Sequence, residues 1–370
     1  MAIEIYSTDT DSGVISVIRR NDDGTHIALG QIAVGNAPRG SVRFTKYGRG
    51  YVSNCGGDTI SEIDIVNHRE TARIKVGAAP RGIGIVPGDQ FALVSNSGAN
   101  SISIVDLNGR EEVRQIATGR DPRHMAITPD GSSAYVAIWG SHYVAKIDTR
   151  TLVGDSLECN FRNVREVNKI YMADGSHPYS VALHPSGKRL FVANTQSERL
   201  AVVELENETI EHEIDLGSTG ARAVAFSPDG AMAFVTIENT SEIAVIDVAR
   251  MTIEHRILVG NGPRGLAMDP PTMKLYVSAF TRTNTGLSST FPDPNALTVV
   301  DVREALATKA RGAGISSVPV AKGSCSVAIL DLAKRHACKP SFERNSSTAD
   351  SGKPDRRHTC SRVRERARCT

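Results

Sequence analysis

One motif recurs six times along the 370-residue chain and places an arginine in nearly every copy: VGNAPRG at 34–40, VGAAPRG at 76–82, TGRDPRH at 118–124, DGSHPYS at 174–180, GSTGARA at 217–223 and VGNGPRG at 259–265. The residue after the proline position is Arg39, Arg81, Arg123, Tyr179, Arg222 and Arg264. Guanidinium groups are permanently charged forks of donors that match carboxylate and phosphate oxygens. Gathered at one place they repel one another unless an anion, a protein carboxylate or water intervenes. Two readings follow. The arginines bind an anionic small molecule, phosphorylated or carboxylated, or they pair with carboxylates and carbonyls of neighbouring repeats.

A second set of residues falls at the ends of the strands that follow each motif. Asn54, Asn96, Trp139, His142, Asn194, Glu238 and Phe280 are expected to reach the same face as the arginines. Trp139 is the only tryptophan of the chain and offers either a stacking surface for a planar heterocycle or loop packing. Glu238, the carboxylate of that series, is either a base or the internal partner of the arginines. His124, beside Arg123, and His177, beside Pro178, titrate near neutral pH and are the candidates for proton transfer; each can equally be a hydrogen-bonded loop histidine. With Glu238 they form the candidate catalytic set, and the arginines, Tyr179, Trp139, Asn54, Asn96 and Asn194 form the candidate ligand-binding set.

The elements that must position these residues follow from the period. Taking Pro38, Pro80, Pro122, Pro178, Ala221 and Pro263 as references, the spacings are 42, 42, 56, 43 and 42 residues. Each unit reads as a short apolar strand after the motif, a tight turn such as PDG at 129–131, PSG at 185–187 or PDG at 228–230, then further strands. Alternating patterns such as SISIVD at 101–106 and EIAVID at 242–247 mark third strands, and EVRQI at 112–116 marks a fourth. Four short antiparallel strands repeated about every 42 residues describe the blades of a β-propeller. In that order the motif joins the outermost strand of one blade to the innermost strand of the next, which gathers the arginines around one mouth of a central channel.

The ends of the repeat region complement each other. Residues 2–33 supply a second, third and fourth strand, and VAKGSCSVAILD near the carboxy terminus of the region supplies a first. Joined, they make a seventh blade and leave no open sheet edge. The fold class is therefore all-β, a seven-bladed propeller over 1–332, closed by amino- and carboxy-terminal strands in one blade, with a basic disordered tail at 333–370. Two departures stand out. TRTNTGLSSTFPDPN at 281–295 is expected as a lid or rim on the arginine-bearing face, and about 14 extra residues lie within 149–173 on a face that the period does not assign.

YVSN at 51–54, LVSN at 93–96, YVAI at 135–138, FVAN at 191–194 and YVSA at 276–279, with the G-x-x-P-R-G entry, resemble the YVTN-repeat β-propellers, which are related in architecture to WD-repeat proteins. That architecture hosts phosphogluconolactonase-like hydrolases, streptogramin lyases and amine dehydrogenase heavy chains, so the resemblance implies the fold and leaves the activity open. The metal-binding Glu/His set of the lyases has no counterpart here. Overall similarity to a propeller of bacterial azapteridine (toxoflavin-like) toxin biosynthesis implies a place in a biosynthetic pathway and a phosphorylated heterocycle as ligand. WD-like architecture implies, as the alternative, a non-enzymatic scaffold with a protein partner, and the hydrolases imply lactonase-like activity.

Composition narrows the partners. The net charge of +2 divides into +7 over 333–370 and −5 over 1–332, so the body is no nucleic-acid binder on charge grounds. The tail reads as a solvated segment, and nucleic-acid contact or a shifted reading frame would produce the same basic, aperiodic composition. The longest apolar runs fall far short of the roughly 18 residues of a membrane span, which implies no membrane partner. The six cysteines show no C-x-x-C spacing, so reduced thiols are expected, with neither metal nor cofactor. The sequence opens on MAIEIYSTDTD, without a basic and apolar leader, and the expected compartment is the cytoplasm.

Overall fold

A computed structural model describes residues 2–153, 161–260, 262–280, 295–310 and 312–334. Seven four-stranded antiparallel sheets form a closed propeller. The innermost strands are Pro38–Phe44, Pro80–Ile85, Pro122–Ile127, Pro178–Leu183, Ala221–Phe226, Pro263–Asp269 and Ser324–Asp331, and each contacts the next around the ring. We number the blades 1 to 6 from Pro38 onward. The closing blade pairs Ser324–Asp331 with Ile3–Asp9, followed by Val14–Arg20 and His26–Ala33, in a register that sets Ile5 opposite Ile329 and Ser7 opposite Val327. The ends of the chain thus supply the closure expected from their patterns.

The core lies between blades. Each apolar cluster draws on two neighbours: Tyr51, Ile60, Ile74 and Val76 of blade 1 pack on Ile83, Ala92, Val94 and Val105 of blade 2. Second and third strands, covered on both faces, are buried nearly throughout, whereas outermost strands such as Arg69–Lys75 alternate exposed and partly buried residues. Alternation therefore survives at the rim, where one face meets water, and in the innermost strand Pro38–Phe44, which lines the channel.

The tyrosine of the repeat has a distinct task. Tyr6, Tyr51, Tyr135 and Tyr276 occupy one position of the second strand, and each lies with a carboxylate and a cation at a blade junction. Glu4 accepts from Tyr6 at 2.8 Å and from Arg19 at 2.7 Å, with His68 of blade 1 at 3.2 Å. Glu62 accepts from Tyr51 at 3.0 Å, Thr71 at 2.8 Å and Arg110 of blade 2 at 2.7 Å. Glu208 of blade 4 accepts from Tyr135, Lys146 and Asn168 of blade 3, and Asp269 of blade 6 pairs with Arg20 of the closing blade at 3.0 Å.

Two features depart from the regular repeat. Blade 6 carries a helix, Val302–Thr308, between its third and fourth strands, with Asp301 capping the Glu304 amide at 3.2 Å. Asp301 and Glu304 stand at capping-box spacing, a signal the strand period obscured. The extra residues of blade 3 fall in the connection from its third to its fourth strand. That connection lies at the end of the propeller opposite the motif loops, and its described part packs Leu152, Val153, Phe161 and Val164 on the cluster between blades 2 and 3. Residues 281–294, most of the expected rim, lie outside the described residues, as do 335–370 of the tail.

Candidate functional site

At the start of each innermost strand the chain turns through a left-handed residue: Ala37, Ala79, Asp121 and His177 at φ near 50°, and glycine in the remaining blades. The carbonyl of that residue accepts the first amide of the loop between the second and third strands of the same blade. The donors are Cys55, Ser97, Trp139, Thr195, Glu238 and Phe280, at 2.9 to 3.1 Å, with Thr10 to Gly323 repeating the bond in the closing blade. Two loops per blade are thereby clamped at one end of the propeller. The residue after the proline position always lies sixteen residues before its clamped neighbour, and in blades 2, 3, 5 and 6 the two are in contact.

This pairing builds the mouth. Arg123 lies over the Trp139 ring, 5.0 Å from its centroid, and Arg264 over Phe280 at 4.3 Å. Arg81 donates through Nε to Ser97 at 3.0 Å. Arg222 donates through Nε to Glu238 at 2.5 Å, and Arg264 reaches the other oxygen of Glu238 at 2.6 Å. Tyr179 bridges blades, its ring facing Arg123 at 5.5 Å and Arg222 at 4.6 Å, and Arg39 faces Phe280 at 5.9 Å. Arg39, Arg123, Trp139, Tyr179, Arg222, Arg264 and Phe280 thus line one recess of about 280 Å³, together with Thr195 and Gln196. Below it a channel of about 690 Å³ runs between the innermost strands. Arg81 and His124 line that channel rather than the recess.

Trp139 is held from two sides. Its indole N–H donates to Thr195 Oγ1 at 3.0 Å, and the His177 ring lies 4.2 Å away while its Nδ1 sits 2.9 Å from the Trp139 carbonyl. His177 is placed behind the tryptophan, against His142 at 4.3 Å, and is absent from the recess lining. Its geometry is that of a support for Trp139. Glu238, 3% exposed, has each oxygen engaged by a different arginine, so it is placed as the internal partner of the pair rather than as a free base.

The three asparagines need correction. Asn54, Asn96 and Asn194 sit opposite the prolines of their blades, where Ile138, Ile237 and Ala279 stand elsewhere. They are one residue short of the clamped series. Fully buried, Asn54 donates to Thr59 at 3.0 Å and Ser61 at 2.8 Å, Asn96 to Ser101 and Ser103 in the same way, and Asn194 to the Arg199 carbonyl at 3.3 Å. In blades 1 and 2 this also explains the leading glycine of the motif: a Cβ on Gly35 would lie 2.4 Å from the Asn54 side chain, and one on Gly77 2.5 Å from that of Asn96. One position further on, Thr195 lines the recess and Ser97 bonds Arg81, with Cys55 as their equivalent in blade 1.

Electrostatics distinguish the interior of the channel. His124 stands where other blades have Gly40, Gly82 and Gly265, with its ring 5.1 Å from Tyr179. Burial, reinforced by Arg43, Arg81, Arg123 and Arg222, pushes its pKa down to about 3, so the imidazole is neutral. Arg123, whose guanidinium pairs with Asp121 at 2.5 Å, is itself held below its ordinary pKa by burial and by Arg81. Six guanidinium groups line the mouth and channel, those of Arg39, Arg43, Arg81, Arg123, Arg222 and Arg264. Their carboxylate partners among the described residues are Asp121 and Glu238.

Among the described residues no group of three or more His, Cys, Asp or Glu could hold a metal ion, and no helix is long and apolar enough to cross a membrane. Cys55 and Cys325 are free thiols.

Comparison with solved structures returns propellers. The Kuenenia stuttgartiensis hydrazine synthase shares 22% identity at a TM-score of 0.63, over 77% of this chain and 88% of that one. A putative 6-phosphogluconolactonase from Bacteroides fragilis shares 16% identity at 0.71, over 89% and 98%. A dihydro-heme d1 dehydrogenase, NirN, solved in complex with DHE, shares 14% at 0.59, over 81% of this chain and 61% of that one. At these identities the likeness is one of fold. No curated protein matches the sequence. The repeat region itself carries a family assignment, since residues 8–225, more than half of the chain, match the cytochrome D1 heme domain, and the chain belongs to that family.

Proposed function

We propose that the protein binds a planar, anionic small molecule at the arginine-bearing mouth, and that a carboxylated tetrapyrrole is the class that fits best. The observation that carries this reading is the alternation of guanidinium groups and aromatic rings around one recess, from Trp139 and Arg123 through Tyr179 and Arg222 to Arg264, Phe280 and Arg39. Rings offer faces to a macrocycle, and arginine forks offer paired donors to carboxylates at its edge. Membership of a heme-domain family, and a relative of the same fold in complex with DHE, support the same class.

The residues fit such a group. Arg39, which has no carboxylate partner among the described residues, and Arg264 would hold its acid groups, while Trp139, Tyr179 and Phe280 would flank its plane. His124, a neutral imidazole, lies in the channel below the recess rather than among the residues that would flank the group. A bound heme would supply redox or ligand-binding chemistry at its iron. The chain's own contribution is to orient the group, hold its carboxylates and exclude water through the rings. Action in a biosynthetic pathway, that of an azapteridine toxin included, rests on the resemblance of the repeat alone, and lactone hydrolysis rests on shared architecture.

The test is a titration of the full chain with a free-base tetracarboxylate porphyrin and with hemin, read by visible absorption and by quenching of Trp139, the one tryptophan. A single saturable site that weakens at least about tenfold in Arg39→Ala/Arg264→Ala is expected. A folded protein that leaves both signals unchanged overturns the reading and favours a protein partner at the mouth.

A further inference from the structure

The innermost strand of blade 1 contains one residue more than its counterparts between the proline and the second-strand pairing. Arg43 lies opposite Tyr51, whereas Gly84 lies opposite Leu93 and Ala126 opposite Tyr135. In the other blades the same place is held by Ala182, Ala225, Ala267 and Ala328. The extra residue is Ser41, which bonds through its hydroxyl to Ser326 of the closing blade at 2.6 Å. A one-residue bulge thus turns a position that is glycine or alanine in every other blade into an arginine that lines the channel.

Arg43 has little to compensate it. Its Nε donates to the Ile83 carbonyl at 3.1 Å, and among the described residues it forms no ion pair. Arg81, two residues before Ile83, bonds Ser97 through Nε and has no carboxylate partner among the described residues. Both line the channel beside His124. The lining along this stretch mixes apolar side chains such as Ile85, Ile127, Leu183 and Met268 with the hydroxyls of Ser41, Ser180 and Ser326. Arg43 is exposed to the channel, so its fork is open to an anion that enters there.

We propose that Arg43 and Arg81 form an oxyanion site inside the channel, below the mouth, that takes one phosphate- or carboxylate-sized group. The forks of both arginines remain available after their Nε bonds, and the neutral His124 ring adds a polar partner without adding charge. The group is a free oxyanion or a second acidic group of a ligand seated at the mouth. This site stands apart from the reading of the mouth and does not require it.

Calorimetric titration of the full chain with inorganic phosphate tests it. Alanine is the native residue at this place in five blades, so Arg43→Ala retains the fold, and Arg43→Lys keeps the charge but loses the fork. The wild type is expected to bind one phosphate, with affinity falling at least about tenfold in Arg43→Ala, less in Arg43→Lys, and less than about twofold in Arg39→Ala. Absence of binding, or binding that Arg43→Ala leaves intact, overturns the site. Repeating the titration with saturating tetracarboxylate porphyrin separates the sources. Competition assigns the site to the ligand's own acid group, and simultaneous binding assigns it to a free oxyanion. Should the porphyrin fail to bind, Arg43-dependent phosphate binding still upholds the inner site while the mouth reading falls.

Discussion

Arginine and glutamate meet in two regions of this propeller, and they meet differently. At the blade junctions, Glu4 and Glu62 each gather a tyrosine hydroxyl and at least one cation, so charge and hydrogen bonding are closed within the protein. Burial alone would raise these carboxyls; the hydrogen bonds from Arg19, Tyr6 and His68 at Glu4, and from Arg110, Thr71 and Tyr51 at Glu62, hold both below their ordinary pKa. At the mouth and in the channel, six guanidinium groups share Asp121 and Glu238. The same residue types act as a latch where they balance and as a receptor where they do not. Excess cation that a ring of blades holds in place is a binding capacity, whereas a closed pair is a contribution to the fold.

Removing the carboxylate from each region should separate the two behaviours. Glu62→Ala strands the buried Tyr51 hydroxyl, while the half-exposed Arg110 turns to water, and a loss of about 1 to 3 kcal/mol in chemical denaturation is expected, with no change in phosphate or porphyrin affinity. Unchanged stability would mean that the junction is solvated and the contrast between the regions empty.

Glu238→Gln keeps the shape at the mouth and deletes the charge that Arg222 and Arg264 share. Stability should fall by about 1 to 3 kcal/mol, while the affinity for an anionic probe rises because two guanidinium groups are released. Titration of both variants with the same probe separates the regions, with affinity unchanged in Glu62→Ala and raised in Glu238→Gln. A Glu238→Gln protein that binds anions more weakly would make Glu238 a part of the receptor instead of its internal counter-charge.

The architecture was legible because the repeat is: proline, arginine and the tight-turn residues recur at one period, and the complementary ends close the ring. Within the site, legibility stopped where a single residue of register matters. Asn54 and Trp139 both stand at the end of a second strand, and the period alone does not tell which side chain turns into the blade and which faces the mouth. The leading glycine of the motif does not resolve it, since Gly35 and Gly77 clear space for Asn54 and Asn96 while Gly119 stands against Ile138 and Gly175 against nothing. Arg43 was hidden for a related reason. The spacing from Pro38 to Asn54 equals that from Pro80 to Asn96, so the extra Ser41 is offset in the turn and leaves no trace in the period. The pairing register exposes it.

The smallest effect at neutral pH belongs to His124, and it sharpens the contrast by reporting the field inside the channel. An unfolded histidine has a pKa near 6.5, and in the folded protein burial and four arginines depress that of His124 to about 3. Above about pH 6.5 both states are neutral and the residue adds no pH dependence. As the pH falls below that value the unfolded chain takes up a proton that the folded channel refuses, so stability declines progressively toward about pH 3. Asp9 acts in the opposite sense. Burial raises its pKa to about 6, so the folded state gains a proton first as the pH falls below that value, and stability from this group rises. The two overlap, and the difference between wild type and His124→Asn isolates the imidazole. Denaturation midpoints should coincide at about pH 7 and diverge below about pH 6.5, with the variant losing less. An anion held by Arg43 and Arg81 would neutralise part of the field, raise the pKa of His124 and shrink that divergence, so the same measurement with and without phosphate joins the pH response to the inner site. Curves that run parallel down to about pH 4 would show that the imidazole meets no such field.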